Sequence, residues 1–127
     1  MPYTSYDCST LPNSSQYAAA ANYKIASYSK IFVTDLAAIK TMLAAKRTLT
    51  SQFSIDDNFR NAGPGYIWKS FSTNPGFHAL TICGYDDARQ AFKAINGWGT
   101  TFGDAGYIWI DYNFFKTVSS DLFVMNF

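Results

Sequence analysis

Helical periodicity occurs at one place in the 127-residue chain, and every strong pattern after it belongs to strands. Leu36, Ile39, Met42 and Leu43 recur at the three-to-four spacing of one helix face. Thr34 or Asp35 can cap that face, and Lys46 and Arg47 fall where the C-terminal dipole favours cations. The spacing predicts one amphipathic helix over about Asp35 to Lys46. Strand formers follow: Leu49 to Ile55 alternates, and His78 to Tyr85 is an apolar run closed by a turn at Gly84-Tyr85-Asp86-Asp87. Phe92 to Ile95, Tyr107 to Tyr112 and Leu122 to Asn126 complete the set. A helix and then consecutive strands make an α+β domain, one helix packed on an antiparallel, twisted sheet or half-barrel. Met1 to Ser15 is dense in Pro, Ser, Thr, Asn and Asp and reads as a loop. Two further Gly-punctuated loops, Asn61 to Phe77 and Gly97 to Gly106, are long enough to carry function.

Length bounds the chain to a single module, residues 1–127, and a hydrophobic content of 48% with 18% aromatics is enough for one core. Ten Lys and Arg against nine Asp and Glu leave a net charge of +1 with no basic run, so no nucleic-acid partner is expected. No apolar stretch approaches the roughly 20 residues that cross a bilayer, so no membrane partner is expected either. Met1 to Leu11 has neither the basic nor the apolar region of a signal peptide, and any export signal would lie upstream. Cys8 and Cys83 are too few for a disulfide scaffold or a Cys-x-x-Cys zinc site. Asp56-Asp57-Asn58 lacks the spacing of a calcium loop and reads as a solvated turn. No metal and no cofactor is expected. There is no Gly-x-Ser-x-Gly elbow for a serine hydrolase. Tyr107, Trp109, Tyr112, Phe114 and Phe115 are assigned to the core and its flanks, since no basic patch supports a stacking platform.

The chain has one histidine, His78. A lone histidine at the head of an apolar strand is more often structural than catalytic. Its setting argues the other way: Asn74-Pro75-Gly76-Phe77 leads into it, so a rigid strand holds the ring while a loop leaves it open. Asn96 ends the next strand and is followed by Gly97-Trp98-Gly99. An amide oxygen at Asn96 can accept from one imidazole nitrogen, fix the tautomer and turn the other nitrogen to a nucleophile, while Trp98 shields the bond. A Cys-His-Asn system needs these two groups and a thiolate beside them.

The stretches His78-Ala79-Leu80-Thr81-Ile82-Cys83-Gly84-Tyr85 and Asn96-Gly97-Trp98-Gly99-Thr100-Thr101-Phe102-Gly103-Asp104-Ala105-Gly106-Tyr107 resemble the His and Asn motifs of papain-like cysteine peptidases. Met1-Pro2-Tyr3 looks like the Tyr-Pro-Tyr that opens the family's second half, and the helix and Gly65-Tyr66-Ile67-Trp68 also have counterparts. The resemblance covers nearly the whole chain and implies the C-terminal, β-rich lobe of that fold. It implies that His78 is the catalytic base and Asn96 its orienting residue, supported by Gly97 and covered by Trp98. Gly76, Phe77 and Ala79, with Gln52, would face the substrate cleft, and their mainly apolar character implies a hydrophobic preference. Peptides or proteins are then the substrates. Family habit places such enzymes in secreted or lysosome-like compartments.

The same resemblance implies what the chain does not hold. In the family the nucleophilic Cys and the oxyanion Gln belong to an N-terminal lobe, which puts the nucleophile about 50 to 70 residues before Met1. That lobe would be supplied in cis or in trans, and Met1 in place of a Tyr fits a misassigned start. Cys83 cannot substitute, because an offset of five residues on a strand turns it away from His78; it reads as a buried, unreactive thiol. Cys8 corresponds to a half-cystine of the family. Gly97 stands where Ser or Thr is usual, Cys83 where an aliphatic is, and Phe77 where Asp or Asn often is. The expectation is a peptidase half that is inactive alone. The alternative is a non-catalytic peptide-binding or regulatory module that keeps the lobe's shape.

Overall fold

The structure is a computed structural model that describes residues 9–127. The Tyr-Pro-Tyr-like start and Cys8 lie outside them. The described elements run α1 (Ser14–Ala20), β1 (Ser27–Ile31), α2 (Leu36–Ala44), β2 (Leu49–Ile55), α3 (Asp57–Arg60), β3 (Ile67–Trp68), β4 (Gly76–Asp86), β5 (Ala91–Ile95), β6 (Tyr107–Asp111), α4 (Tyr112–Val118) and β7 (Leu122–Asn126). The strands form one seven-stranded sheet in the order β1-β7-β2-β4-β5-β6-β3, and the fold is α+β.

The expected helix is α2. Asp35 caps it by accepting from the Ala38 amide at 2.9 Å, and Ile39 and Leu43 are the buried face. In the sheet, strand alternation sets the core. Leu49 pairs with Ile82, Ser51 with Leu80 and Phe53 with His78, while Ile82, Ala94 and Ile108 continue the inward row across β5 and β6. α2 and α4 pack on this side, with Phe115 and Val118 of α4 buried beside Phe53 and Phe92. The one inward hydroxyl on β2, Ser51, is satisfied by the Ser120 carbonyl at 2.9 Å and by Ser119 Oγ at 2.9 Å. Those bonds tie the end of α4 to the middle of the sheet.

Several expectations need correction. Three helices join the single one foreseen. α1 has no apolar periodicity and is set by a capping box between Asn13 and Gln16 on a run of alanines, with nothing buried. α3 is one turn. α4 takes over where a strand was expected to reach Tyr112: Asp111 accepts from the Asn113 and Phe114 amides and starts a helix whose Tyr112, Phe115 and Val118 face the core. The loop expected from Met1 to Ser15 therefore gives way to a helix at Ser14. β1 lies in a stretch, Ser27–Ile31, whose serines and lysine carry little strand signal; it is held as an edge by pairing with β7. The sheet is antiparallel except where the two residues of β3, inside an expected loop, run parallel to β6. β4 continues through Gly84 and Tyr85 to Asp86, because a bulge takes up Cys83 and pairing with β5 resumes at Gly84, and the turn is made by residues 87–90 instead.

Candidate active site

His78 and Asn96 stand on adjacent strands' ends and meet. β2, with Phe53 opposite His78, holds the histidine in register, and the Asn96 amide donates to the Gly106 carbonyl at 2.9 Å. His78 Nε2 lies 2.8 Å from Asn96 Oδ1. The same oxygen accepts from the Gly97 backbone amide at 2.8 Å. A backbone N–H can only donate, so the side-chain atom facing it is the oxygen, and the imidazole nitrogen facing that oxygen must carry a proton. Neutral His78 is therefore held as the Nε2–H tautomer, with the Nδ1 lone pair turned away from Asn96. Gly97 serves through its backbone, so the hydroxyl usual at this position is not needed for the bond.

Aromatic rings enclose the pair. Trp98 lies against the imidazole with ring centres 4.8 Å apart, while remaining 45% exposed on its other side. Phe59, fully buried, is edge-on to His78 at 5.9 Å and to Trp98 at 5.4 Å, and Phe102 packs on both Phe59 and Trp98. Asn96 is only 7% exposed and its Nδ2 has no hydrogen-bond partner among the described residues. The low dielectric strengthens the His78–Asn96 bond. Sequence reasoning missed Phe59 and Phe102. An Asp-x-x-Phe start to a helical turn was the available signal for Phe59, since it places the ring on the first turn.

Asp56-Asp57-Asn58 is not a solvated turn. Asp56 is 0% exposed and caps α3: its carboxylate accepts from the Phe59 amide at 3.0 Å and from the Ser72 amide. Asp57 and Asn58 bind the loop ahead of β4, so both residues are turned to protein rather than to water alone.

The expected cleft residues divide by strand face. Gly76 shares the parity of His78, whereas Phe77 and Ala79 point to the outer face with their register partners Ser54 and Gln52. Phe77 is 77% exposed. Gln52, Ser54, Phe77, Ser119 and Ser120 line an open hollow of about 230 Å³ on that face.

Cys83 sits at the bulge, half-buried rather than buried, with Sγ 3.5 Å from the Lys93 carbonyl. Burial pushes its thiol up, against the smaller opposing charge of Lys93, so it stays protonated at neutral pH. Among the described residues no cluster of His, Cys, Asp or Glu is arranged to hold a metal.

A model of the papain family of cysteine proteases matches residues 1–121. The chain belongs to the papain family. Xylellain, a cysteine protease from Xylella fastidiosa, superposes with a TM-score of 0.81 at 29% identity, over 92% of this chain and 46% of that one. A digestive procathepsin L2 proteinase from Tenebrio molitor shares the fold, with a TM-score of 0.72 at 24% identity, over 99% of this chain and 40% of the other. The gamete and mating-type specific protein A of Dictyostelium discoideum is 30% identical over 91 residues, 71% of this chain and 20% of that protein. This papain-family chain thus spans less than half the length of each.

Proposed function

We propose that the chain is the C-terminal lobe of a papain-type cysteine peptidase and supplies its acid–base pair, His78 and Asn96. The observation that carries this is the 2.8 Å bond between His78 Nε2 and Asn96 Oδ1, locked by the Gly97 amide. It leaves Nδ1 as the nitrogen that takes a proton from a thiol. The thiol itself comes from outside residues 1–127, since Cys83 sits in the β4 bulge against the Lys93 carbonyl, where burial keeps it protonated, and Cys8 corresponds to a half-cystine of the family.

In the assembled enzyme, the thiol proton moves to His78 Nδ1, giving thiolate and imidazolium. The thiolate adds to the peptide carbonyl carbon. As the tetrahedral adduct collapses, the C–N bond breaks and Nδ1 delivers its proton to the leaving amine, leaving a thioester. Water then loses a proton to Nδ1 and adds to the thioester, and the thiolate departs. Asn96 keeps the ring oriented throughout, and the Trp98 indole keeps water from the Nε2 bond. Phe77 and Ala79 with Gln52 receive a substrate side chain on the outer face, and the Phe77 ring favours an apolar one.

The partner lobe covers the outer sheet face. Tyr28, Phe123 and Met125 are exposed there and continuous with a hollow of about 470 Å³ that also includes Arg47 and Thr81.

Two experiments test the reading. The purified chain is mixed with a fluorogenic dipeptidyl substrate and an epoxide thiol inhibitor, with no turnover and no adduct on Cys83 or Cys8 expected. The chain is also fused to the N-terminal half of xylellain. That chimera is expected to cleave peptides and to lose at least about 10²-fold in kcat on His78→Ala, the usual worth of a positioned base. Turnover by the chain alone, or a chimera indifferent to His78→Ala, would overturn the proposal. A chain that binds peptides without cleaving them in the chimera would favour the non-catalytic module.

A further inference from the structure

The single turn α3 lies between β2 and the loop that delivers His78, and its side chains bind that loop at nearly every residue. Asn58 Nδ2 donates to the Ser70 carbonyl at 3.1 Å, and Asp56 accepts from the Ser72 amide. The Asp57 amide donates to the Thr73 carbonyl at 3.0 Å. Its carboxylate accepts from Asn74 Nδ2 at 2.5 Å, Thr73 Oγ1 at 3.1 Å and Arg60 Nη1 at 3.0 Å. Arg60 Nη1 also donates to the Asn74 carbonyl at 2.5 Å. Asn74 itself is held at φ +55°, a left-handed conformation that asparagine tolerates. The other guanidinium nitrogen of Arg60 rests on Gly76, where a Cβ would come within 2.7 Å of it. From the same turn Phe59 reaches behind the imidazole. One turn of helix therefore grips the chain up to Asn74, four residues ahead of His78, packs on Gly76 and backs the imidazole ring.

We propose that Asp57, with Asn74 and Arg60, is a positioning clasp that sets His78 for its bond to Asn96. This rests on the reading of His78 and Asn96 as the acid–base pair. Without the clasp, the first pairs of β2 and β4, Ile55 with Gly76 and Ser54 with Phe77, lose the anchor on one side, and the strand frays towards Phe53 and His78. A displacement of about 1 Å at such a site is enough to cost about 10²-fold in rate. Asp57, Thr73 and Asn74 are not catalytic residues, since none touches the imidazole; they act through the strand that carries it.

Because the chain has one histidine, its imidazole signals are unambiguous in nuclear magnetic resonance spectra. The full 127-residue chain is expected to show a hydrogen-bonded Hε2 proton, with Nε2–H as the tautomer of the neutral ring. Asp57→Asn removes the charge that gathers the donors, and Asn74→Gly removes one donor while keeping the left-handed backbone. In both, exchange of Hε2 with water is expected to speed up about tenfold or more, with the Nδ1–H tautomer appearing. Asp87→Asn is the control for mere loss of stability. It breaks bonds to Lys40 and Tyr112 outside the clasp and is expected to leave Hε2 unchanged. An Hε2 signal unmoved by both clasp variants, or moved equally by Asp87→Asn, would overturn the clasp alone. A wild-type spectrum with no bonded Hε2 would overturn the pairing of His78 with Asn96, and the clasp with it.

Discussion

Asn96 works through one oxygen that meets two donors, and its replacement has a readable cost. Asn96→Leu leaves the Gly97 amide and His78 Nε2–H without their acceptor in a site that is almost closed to water. A loss of about 1 to 3 kcal/mol is expected in urea unfolding, together with a mixed tautomer at His78. Ala105 gives the opposite expectation. It sits at φ +54° in the loop after Trp98, where a Cβ is disfavoured by about 1 kcal/mol. Ala105→Gly should raise the melting temperature by a few degrees in a calorimetric scan. Two positions away, Gly103 at φ +52° has no such freedom, since a Cβ there would run into the Tyr107 carbonyl. His78, Asn96 and Trp98 were legible in the sequence because their chemistry is carried by residue type and order. Phe59 was not, since its ring reaches the site from another element.

Among the elements, α3 is the shortest with a large effect. Asp56, its buried N-cap, satisfies two amides, Phe59 and Ser72, from segments 13 residues apart in sequence. Asp56→Ala is expected to cost about 3 kcal/mol, since both amides lose a charged acceptor, and the loss should be visible as a lower midpoint in urea. The elements read correctly from sequence, α2 and strands β2, β5 and β7, carry their period in their own residues. α1, β1 and α4 do not. α1 has no apolar face, β1 is exposed on four of five residues and is made a strand by β7, and α4 follows β6 without a break, so its aromatics also suit a strand. The bulge at Cys83 belongs to the same class: it arises from how β4 fits β5, and it moved both the turn and the thiol from where alternation put them.

At the scale of the whole molecule, three carboxyls respond to acid together. The Asn74 amide holds Asp57 below its ordinary value of 3.8, Lys40 does so for Asp87 and Lys30 for Asp121. The unfolded chain takes up these protons at a higher pH than the folded one, so stability is fully present above 3.8 and falls as pH drops below it. Melting temperature followed from pH 6 down to pH 2 should decline at the acid end, and less steeply in Asp87→Asn. The exposed outer face gives a second expectation. Tyr28, Phe123 and Met125 stand together, exposed, across β1 and β7, so the 127-residue chain should self-associate in sedimentation velocity. Replacing the three by serine should return it to a monomer.

By itself the sequence determined the α+β class, the helix α2, the run of strands and the His78–Asn96 pair, because periodicity and side-chain chemistry are local properties of the chain. The tertiary structure decided what depends on neighbours. The carboxylates of Asp56 and Asp57 became clamps rather than a solvated turn because the Ser70–Asn74 loop folds back onto them. The tautomer of His78 was likewise fixed only when the Gly97 amide was found on the same oxygen, since a backbone N–H has one role to play and a sequence gives its position no direction.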